Sequence, residues 1–554
     1  MKDNTTLAAT ATHTTFYLCE KPSQARTLAN ILGAAKGPNK MHFGDGVVIG
    51  HAFGHMLNLA MPEEYIGKGP WCLDSLPIVP GKWIWKVKEE HREHFENIGK
   101  YLQKANTVVI ATDPDEEGEV IGRQILLAHG YTGKVLRLWM SVLEPESLKI
   151  ALKNLLPLSA TDHFYHAGRV RHEMDWLFGM NLTRAFTLIS KEKSHIGRVK
   201  TRLLNEIVHI EKQVESDTSS ICNTAYVTLG DTVFELEQGD PPIDYIVDFK
   251  KLEGMQSGIY RGSVLSIFDD DDFPITPPLP YTLSSLLADV ADLGIPLNEG
   301  YTAIQKLYES GAISYPRTSS TKMPGAEVKE FAAHHAIVTV MDGLPCGMTD
   351  EATRIFELIR LNELYQRNPC ILKTRRQTFK FCGEEFSSYE GWMTIPDNSP
   401  DLDQQENRKI LAKLKNKPAF EIGDEIQANV RLTRNSFSAF SYFTEASLLR
   451  MMAEKGIGTE STRVATIANL IKEKLIDVTP QSDHEGVPIK HARIIRSTQL
   501  GRDLIDRLPD AVTGQAMESQ LQQALEDVRA GHSDESSHMM NTTRWLAQTI
   551  HDAV

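Results

Sequence analysis

The sequence predicts a multidomain protein of mixed α/β and α+β character. Its 554 residues are too many for one hydrophobic core, so three or four domains are expected. From Thr15 to about residue 150, short apolar runs alternate with helical patterns, the mark of a parallel α/β domain. Further on, period-two alternation lies on both sides of a helical block at residues 281–368. That pattern predicts an inserted domain, with the chain leaving one sheet and returning to it.

The elements follow in order. The opening "MKDNTTLAATATHTTF" has neither a basic start nor an apolar stretch, so a short flexible arm is expected over residues 1–14, not a signal peptide. "FYLCE", "VVIGHAFGHML" and "TVVIATD" read as strands, with "PSQARTLANILG" as a helix between the first two. After Val108–Ala111 a helix is predicted with Asp113 at its N-cap and Pro114 and Glu116 in the first turn. Residues 160–212 read as helical. "TAYVTLGDTVFELEQ" to "GSVLSIF" reads as strands, and "DDDDFPITPPLP" as a solvated linker. Two amphipathic helices follow in "YTLSSLLADVADLG" and "NEGYTAIQKLYESG", the second closed by Gly311. "RRQTFKFCGEEF" and "DEIQANVRLTR" return to strand alternation, and helices are expected from Thr444 onward.

Composition narrows the class. No stretch approaches 18 uninterrupted apolar residues, which disfavours a membrane span. The six cysteines form no C-x-x-C pair, so neither a disulfide framework nor a zinc ribbon is expected, and a reducing cytoplasm is. No Walker loop or dinucleotide fingerprint occurs, so no nucleotide cofactor is expected. The net charge of −14 argues against a simple nucleic-acid binder. Yet Arg169–Arg202 holds eight Lys/Arg against three acids, a basic lane that suits a polyanion if it lines a groove.

Four stretches carry chemistry. In "YLCEKPSQA", Glu20 ends a strand and Lys21 follows, at the sheet edge where α/β domains place ligands. Five of the seven residues from Asp113 to Glu119 are acidic, more than a helix cap needs. The spacing of Asp113, Asp115 and Glu117 offers three carboxylates within one turn, and Glu20 makes a fourth able to hold Mg²⁺. In "GAISYPRTSS", Pro316 favours an extended Tyr315, so Tyr315 and Arg317 face one side. A phenol is a poor nucleophile unless its developing charge is stabilised, and an arginine can supply that and grip a phosphate. In "AAHHAIV", a histidine beside a phosphate can donate a hydrogen bond or relay a proton.

With these residues in view, the chain resembles the type IA DNA topoisomerases, and topoisomerase III more than topoisomerase I. "EKPSQA" and "TDPDEEGE" are similar to the Toprim metal-binding motifs, and "RHEMDWLFGMNLTRAFT" and "IGRVKT" to the DNA-groove segments. "YPRT" matches the active-site tyrosine motif, "AHHAI" the downstream histidine motif, and "YFTEASLLRMMAEKGIGTESTRVATI" a late helical segment closing the groove. The resemblance implies a torus: a Toprim domain at 15–155, a helical DNA-groove domain at 156–215 and 444–554, a β-rich arch at 216–280 and 369–443, and the tyrosine-bearing insert at 281–368.

It further implies that Tyr315 cleaves one DNA strand through a 5′-phosphotyrosine, passes a strand and religates without ATP, relaxing negative supercoils and decatenating DNA. Arg317, Lys21 and His334 would stabilise the phosphoryl oxygens, with Glu20 serving the leaving oxygen. Glu20, Asp113, Asp115 and Glu117 would hold Mg²⁺. Arg171, Asp175, Arg184, Arg198, Lys200, Ser461 and Thr462 are the expected DNA contacts. Single-stranded and negatively supercoiled DNA is the expected partner of a monomer in the cytoplasm, at the nucleoid. Lys200 stands where the family usually has Gln, and Arg202 where it often has Pro; the chain ends at Val554 without Cys-rich zinc modules, so weaker non-specific DNA binding is expected. Another Toprim enzyme (a primase or nuclease) and a catalytically inactive DNA-binding torus are the alternatives; neither needs Tyr315.

Overall fold

The computed structural model of the chain describes residues 14–140, 143, 145–216, 221–229, 232–236, 258–324, 334–368, 370–381, 384–394, 421–436, 441–482, 488–529 and 535–554. The expected N-terminal arm, apart from Thr14, lies outside them. The first part builds a seven-stranded sheet from β1 (Thr15–Cys19), β2 (Ala35–Lys36), β3 (His42–Gly44), β4 (Val47–His51), β5 (Thr107–Ala111), β6 (Lys134–Arg137) and β7 (Leu156–Pro157). The order is β2-β3-β4-β1-β5-β6-β7. The central four strands are parallel, with antiparallel additions at both edges.

Central parallel strands are covered on both faces, which is why β1 and β5 read as unbroken apolar runs. Phe16, Leu18, Val108 and Ile110 enter one core, while Tyr17, Cys19, Val109 and Ala111 enter the other. The register pairs Cys19 with Ala111, so the two strands end side by side. From β1 the chain crosses through α1 (Pro22–Ile31) to β4 on one side, while β5 lies on the other. The order of connection reverses there, and the crevice beyond the strand ends is where such sheets place ligands.

After β5 comes α2 (Glu116–Ala128). Its N-cap is Asp115, whose Oδ1 accepts from the Gly118 amide at 2.7 Å. The expected cap at Asp113 is thus displaced by two residues, because Asp113 remains in the strand-end turn. Gly118 is required here: a Cβ would sit 2.0 Å from the Asp113 carbonyl oxygen. The long α3 (Asp162–Ser190) packs on α2, with Gly168 letting it approach the Glu116 carbonyl. α4 (Arg198–Ser216) follows.

A closed barrel then forms from β8 (Ile221–Leu229), β9 (Thr232–Leu236), β10 (Gly258–Ile275), β11 (Cys370–Phe381), β12 (Glu384–Thr394) and β13 (Glu425–Ser436), in the order β8-β9-β12-β11-β10-β13. β10 and β11 flank the 281–368 block and pair directly. The block itself holds α5 (Leu283–Asp292), α6 (Leu297–Glu309) and α7 (Asp350–Arg367). Gly311 follows α6 at φ +79°, a conformation that favours glycine. The run Asp269–Asp272, expected as linker, instead lies within β10, where strand β11 pairs with it across a register shift at Asp270/Phe273. Backbone pairing with β11, Asp269 standing in register with Arg375, overrides the low β-propensity of aspartate.

The chain returns through α8 (Glu445–Glu454) and α9 (Arg463–Lys472). The expected all-helical end is interrupted by a hairpin, β14 (Ile476–Ser482) with β15 (Pro488–Ser497). No helix among the described residues is long and apolar enough to cross a membrane.

Candidate active site

The crevice at the ends of β1 and β5 gathers buried carboxylates. Glu20 follows β1 and is buried; its Oε2 accepts the Asp113 amide at 3.2 Å. Asp113 is 1% exposed and its carboxylate is surrounded by cations and an amide. Lys21 Nζ reaches its Oδ2 at 3.1 Å, Arg317 at 3.3 Å, and the Gln24 amide donates to Oδ1. Arg317 and Lys21 also approach Glu20 Oε1, at 3.9 and 3.7 Å.

Tyr315 reaches this crevice from the 281–368 block. The segment holding the expected histidine pair runs antiparallel to the tyrosine strand: Ser314 N donates to Val338 O at 2.9 Å, and Val340 N to Ala312 O at 2.9 Å. That pairing carries His334 to Tyr315, ring centroids 4.6 Å apart. Tyr315 is 2% exposed, and its hydroxyl donates to Asp115 Oδ2 at 2.6 Å. Asp115 thus caps α2 with one oxygen and meets the phenol with the other.

Electrostatics follow from burial and crowding. Burial, then the Asp113 charge, pushes the Glu20 carboxyl up to about 8. Burial acts against ionising Asp113 too, but Lys21 and Arg317 outweigh it and hold its carboxyl below the ordinary range. Burial and Asp113 raise Asp115, and burial with the two aspartates raises the Tyr315 phenol well above its ordinary value. His334 is kept neutral mainly by burial. Its Nε2 faces the Pro114 carbonyl, which can only accept, so Nε2 carries the proton and Nδ1 is left as a buried acceptor without a partner among the described residues. A donor role towards phosphate therefore requires either that Nε2–H leave the Pro114 carbonyl or that Nδ1 take up a proton. Arg317 Nε is likewise buried and has no partner among the described residues.

The other expected residues are placed as follows. Glu117 lines the same cavity as Glu20 but makes its contacts with His55 Nε2 at 2.8 Å and His172 Nε2 at 2.9 Å. Arg171 pairs with Glu116 at 2.7 Å. Arg198 is buried between Asp175 (2.8 Å) and Glu518 (2.6 Å). Arg184 is held by Glu63 and stacks on Trp71 at 4.8 Å. Lys200 pairs with Glu473 at 2.8 Å and, with Ser461 and Thr462, lines the cavity beside Glu20. Sequence reasoning missed Gln24, Arg137, His55 and His172. Gln24 was detectable as the third residue of a helix whose start Lys21 marks; the others carry no local signal.

The family model described as DNA topoisomerase matches residues 159–332 and 325–540, and the Toprim domain matches residues 15–143. The chain belongs to the DNA topoisomerase family. It is a type IA topoisomerase close to topoisomerase III, and its Toprim domain is a metal-binding domain. It is 24% identical to DNA topoisomerase 3 of Haemophilus influenzae over 96% of this chain and 94% of that protein. It is 26% identical to DNA topoisomerase 3 of Bacillus licheniformis over 97% and 81%. Among solved structures it is similar to full-length topoisomerase I from Thermotoga maritima, with TM-score 0.65, 18% identity and coverage of 97% and 90%. The strand-end carboxylates offer oxygen donors only, the set a hard dication takes. Their cluster of like charge, with Glu20 pushed up, fits a site completed by a cation.

Proposed function

We propose that this topoisomerase cleaves a single DNA strand with Tyr315 as nucleophile, and that Glu20, Asp113 and Asp115 hold Mg²⁺. The observation that carries the reading is the 2.6 Å hydrogen bond from the Tyr315 phenol to Asp115, beside Arg317, Asp113 and Glu20. The phenolic oxygen attacks the phosphorus while its proton passes to Asp115. The bond to the 3′ oxygen breaks, and that oxygen takes a proton from Glu20, whose carboxyl is pushed up to about 8 by burial and the Asp113 charge and which holds the ion only once the proton has gone. The products are a 5′-phosphotyrosine and a 3′-hydroxyl, and the reverse step reseals the strand with no ATP. Arg317 and Lys21 neutralise the phosphoryl oxygens, the largest stabilisation available to such a site. When bound, Mg²⁺ adds positive charge against the substrate phosphates.

The substrate is single-stranded or negatively supercoiled DNA, a reading supported by membership of the type IA topoisomerases. We assign 15–155 to metal and phosphate chemistry, 156–215 and 444–554 to the DNA groove, 216–280 and 369–443 to the arch and 281–368 to the moving tyrosine, acting as a monomer at the nucleoid. Lys200, Ser461 and Thr462, with Arg171, Arg184, Arg198 and Asp175 behind them, form the groove wall.

The test is a covalent trap. Labelled single-stranded DNA is incubated with protein and Mg²⁺, denatured and resolved. Wild type yields a protein–DNA adduct and relaxes negative supercoils; Tyr315→Phe yields neither. An adduct surviving in Tyr315→Phe moves the nucleophile elsewhere. Free hydrolysed ends without an adduct identify a nuclease.

A further inference from the structure

Among the described residues, one set of three His, Cys, Asp or Glu side chains brings its ligand atoms within 4.8 Å of one another: His55, Glu117 and His172. We propose that these three form a second metal site, for a first-row transition dication such as Zn²⁺, separate from the Mg²⁺ chemistry of Glu20, Asp113 and Asp115. Both imidazoles aim Nε2 at one oxygen, Glu117 Oε2, at 2.8 and 2.9 Å, and the rings lie 5.0 Å apart. Ligands about 2.1 Å from a tetrahedral ion stand about 3.4 Å apart, so a dication is admitted once the two nitrogen–oxygen contacts open by about half an ångström. The donors are two imidazoles and one carboxylate, which suit the borderline metals rather than the all-oxygen preference of Mg²⁺.

The three come from separate elements. His55 follows β4, Glu117 lies in the first turn of α2, and His172 is on α3. An ion would tie these together at the turn that also carries Asp113 and Asp115. The side chains are 26–29% exposed and line a cavity of about 890 Å³ shared with Glu20, Lys21 and Arg317. Coordination positions on the cavity side thus stay open to water or a substrate phosphate. A shared hydrogen bond from two histidines to Glu117 is the competing account, and it requires no metal.

Metal binding separates the two. Full-length protein stripped with a chelator is titrated with Co²⁺ and followed by visible absorption, then competed with Zn²⁺. One equivalent is expected to bind with ligand-field bands, to be displaced by Zn²⁺, and to persist in the Asp113→Asn/Asp115→Asn double variant. His55→Ala and His172→Ala should each weaken it beyond the roughly 100-fold typical of losing an outer-sphere partner. His172→Asn, which keeps a polar side chain, guards against misfolding and should lose the bands equally. Zn²⁺ should raise the Tm of wild type reversibly, but not of His172→Asn. No saturable uptake, uptake retained in the His55→Ala/His172→Ala double variant, or uptake lost with the aspartates, each overturns the site. The covalent-trap experiment is indifferent to these outcomes, so the nucleophile assignment stands or falls separately.

Discussion

At the scale of single residues, Asp113 is the pivot. Its buried carboxylate holds Lys21, Arg317 and Gln24, so it orders the cations that a phosphate would otherwise take. Replacing Asp113 and Asp115 together with asparagine should abolish Mg²⁺-dependent relaxation, while single-strand binding persists or tightens because Lys21 and Arg317 are released. Relaxation assays with Mg²⁺ titration and a gel-shift series check both halves; undiminished relaxation would reduce the acids to a helix cap. A second residue, His51, is buried against His94 and kept neutral, its pKa lowered to about 4 mainly by burial. Because the folded value lies below the ordinary 6.5, the unfolded chain takes the proton first. The neutral ring's contribution is complete above about pH 6.5 and is lost as pH falls towards 4, at about 1.4 kcal/mol per unit of separation. NMR of ring-labelled histidine should show His51 titrating far below its exposed counterparts, and His51→Gln should flatten the fall of Tm between pH 6.5 and 4.

At the scale of elements, the acidic turn between β5 and α2 stands on a buried ion-pair network. Glu119, fully buried on α2, accepts from Arg137 with one oxygen and from Arg123 (2.9 Å) and Thr161 (3.0 Å) with the other. Arg137, also fully buried, donates onward to the Thr112 carbonyl at 2.9 Å and the Asp113 carbonyl at 2.7 Å. Glu119→Ala leaves the buried Arg137 guanidinium without its carboxylate, while Arg123 keeps Asp162 at 2.6 Å, and should cost about 3–5 kcal/mol. Urea unfolding checks this; a loss under 1 kcal/mol contradicts the network. This network also marks where the sequence stopped being legible. Strand and helix identity at β1, α1, β5, α3, α5 and α6 could be read from periodicity, and Glu20, Asp113, Asp115, Tyr315 and Arg317 from spacing and resemblance. The cap could not: Asp113 and Asp115 both suit an N-cap, and the choice depends on Gly118 packing under the Asp113 carbonyl. Nor could the strand through Asp269–Asp272, since its partner lies about a hundred residues away in β11. His55 and His172 come from unrelated segments, so nothing local joins them to Glu117.

At the scale of the whole molecule, a chain of net charge −14 must bind a polyanion through local fields. The cavity beside Glu20 collects Lys21, Arg171, Arg198, Lys200 and Arg317, but these are not equivalent. Arg198 is locked between two carboxylates, and Arg184 is pinned by Glu63 and Trp71, so both serve chiefly to hold the wall. Lys200, in a single part-exposed pair with Glu473, exchanges that partner for a phosphate at little cost. For single strands each phosphate neutralised contributes about −0.7 to the slope of log K against log salt. Lys200→Ala should therefore make that slope less negative by about 0.7 and weaken binding alike on all sequences. Arg184→Ala should leave the slope unchanged and lower Tm, through the loss of its part-buried ion pair and stacking. Fluorescence anisotropy with a short labelled strand, repeated across salt concentrations, distinguishes them. Equal slopes in wild type and Lys200→Ala would remove Lys200 from the path of the DNA, and an altered slope in Arg184→Ala would place Arg184 on it.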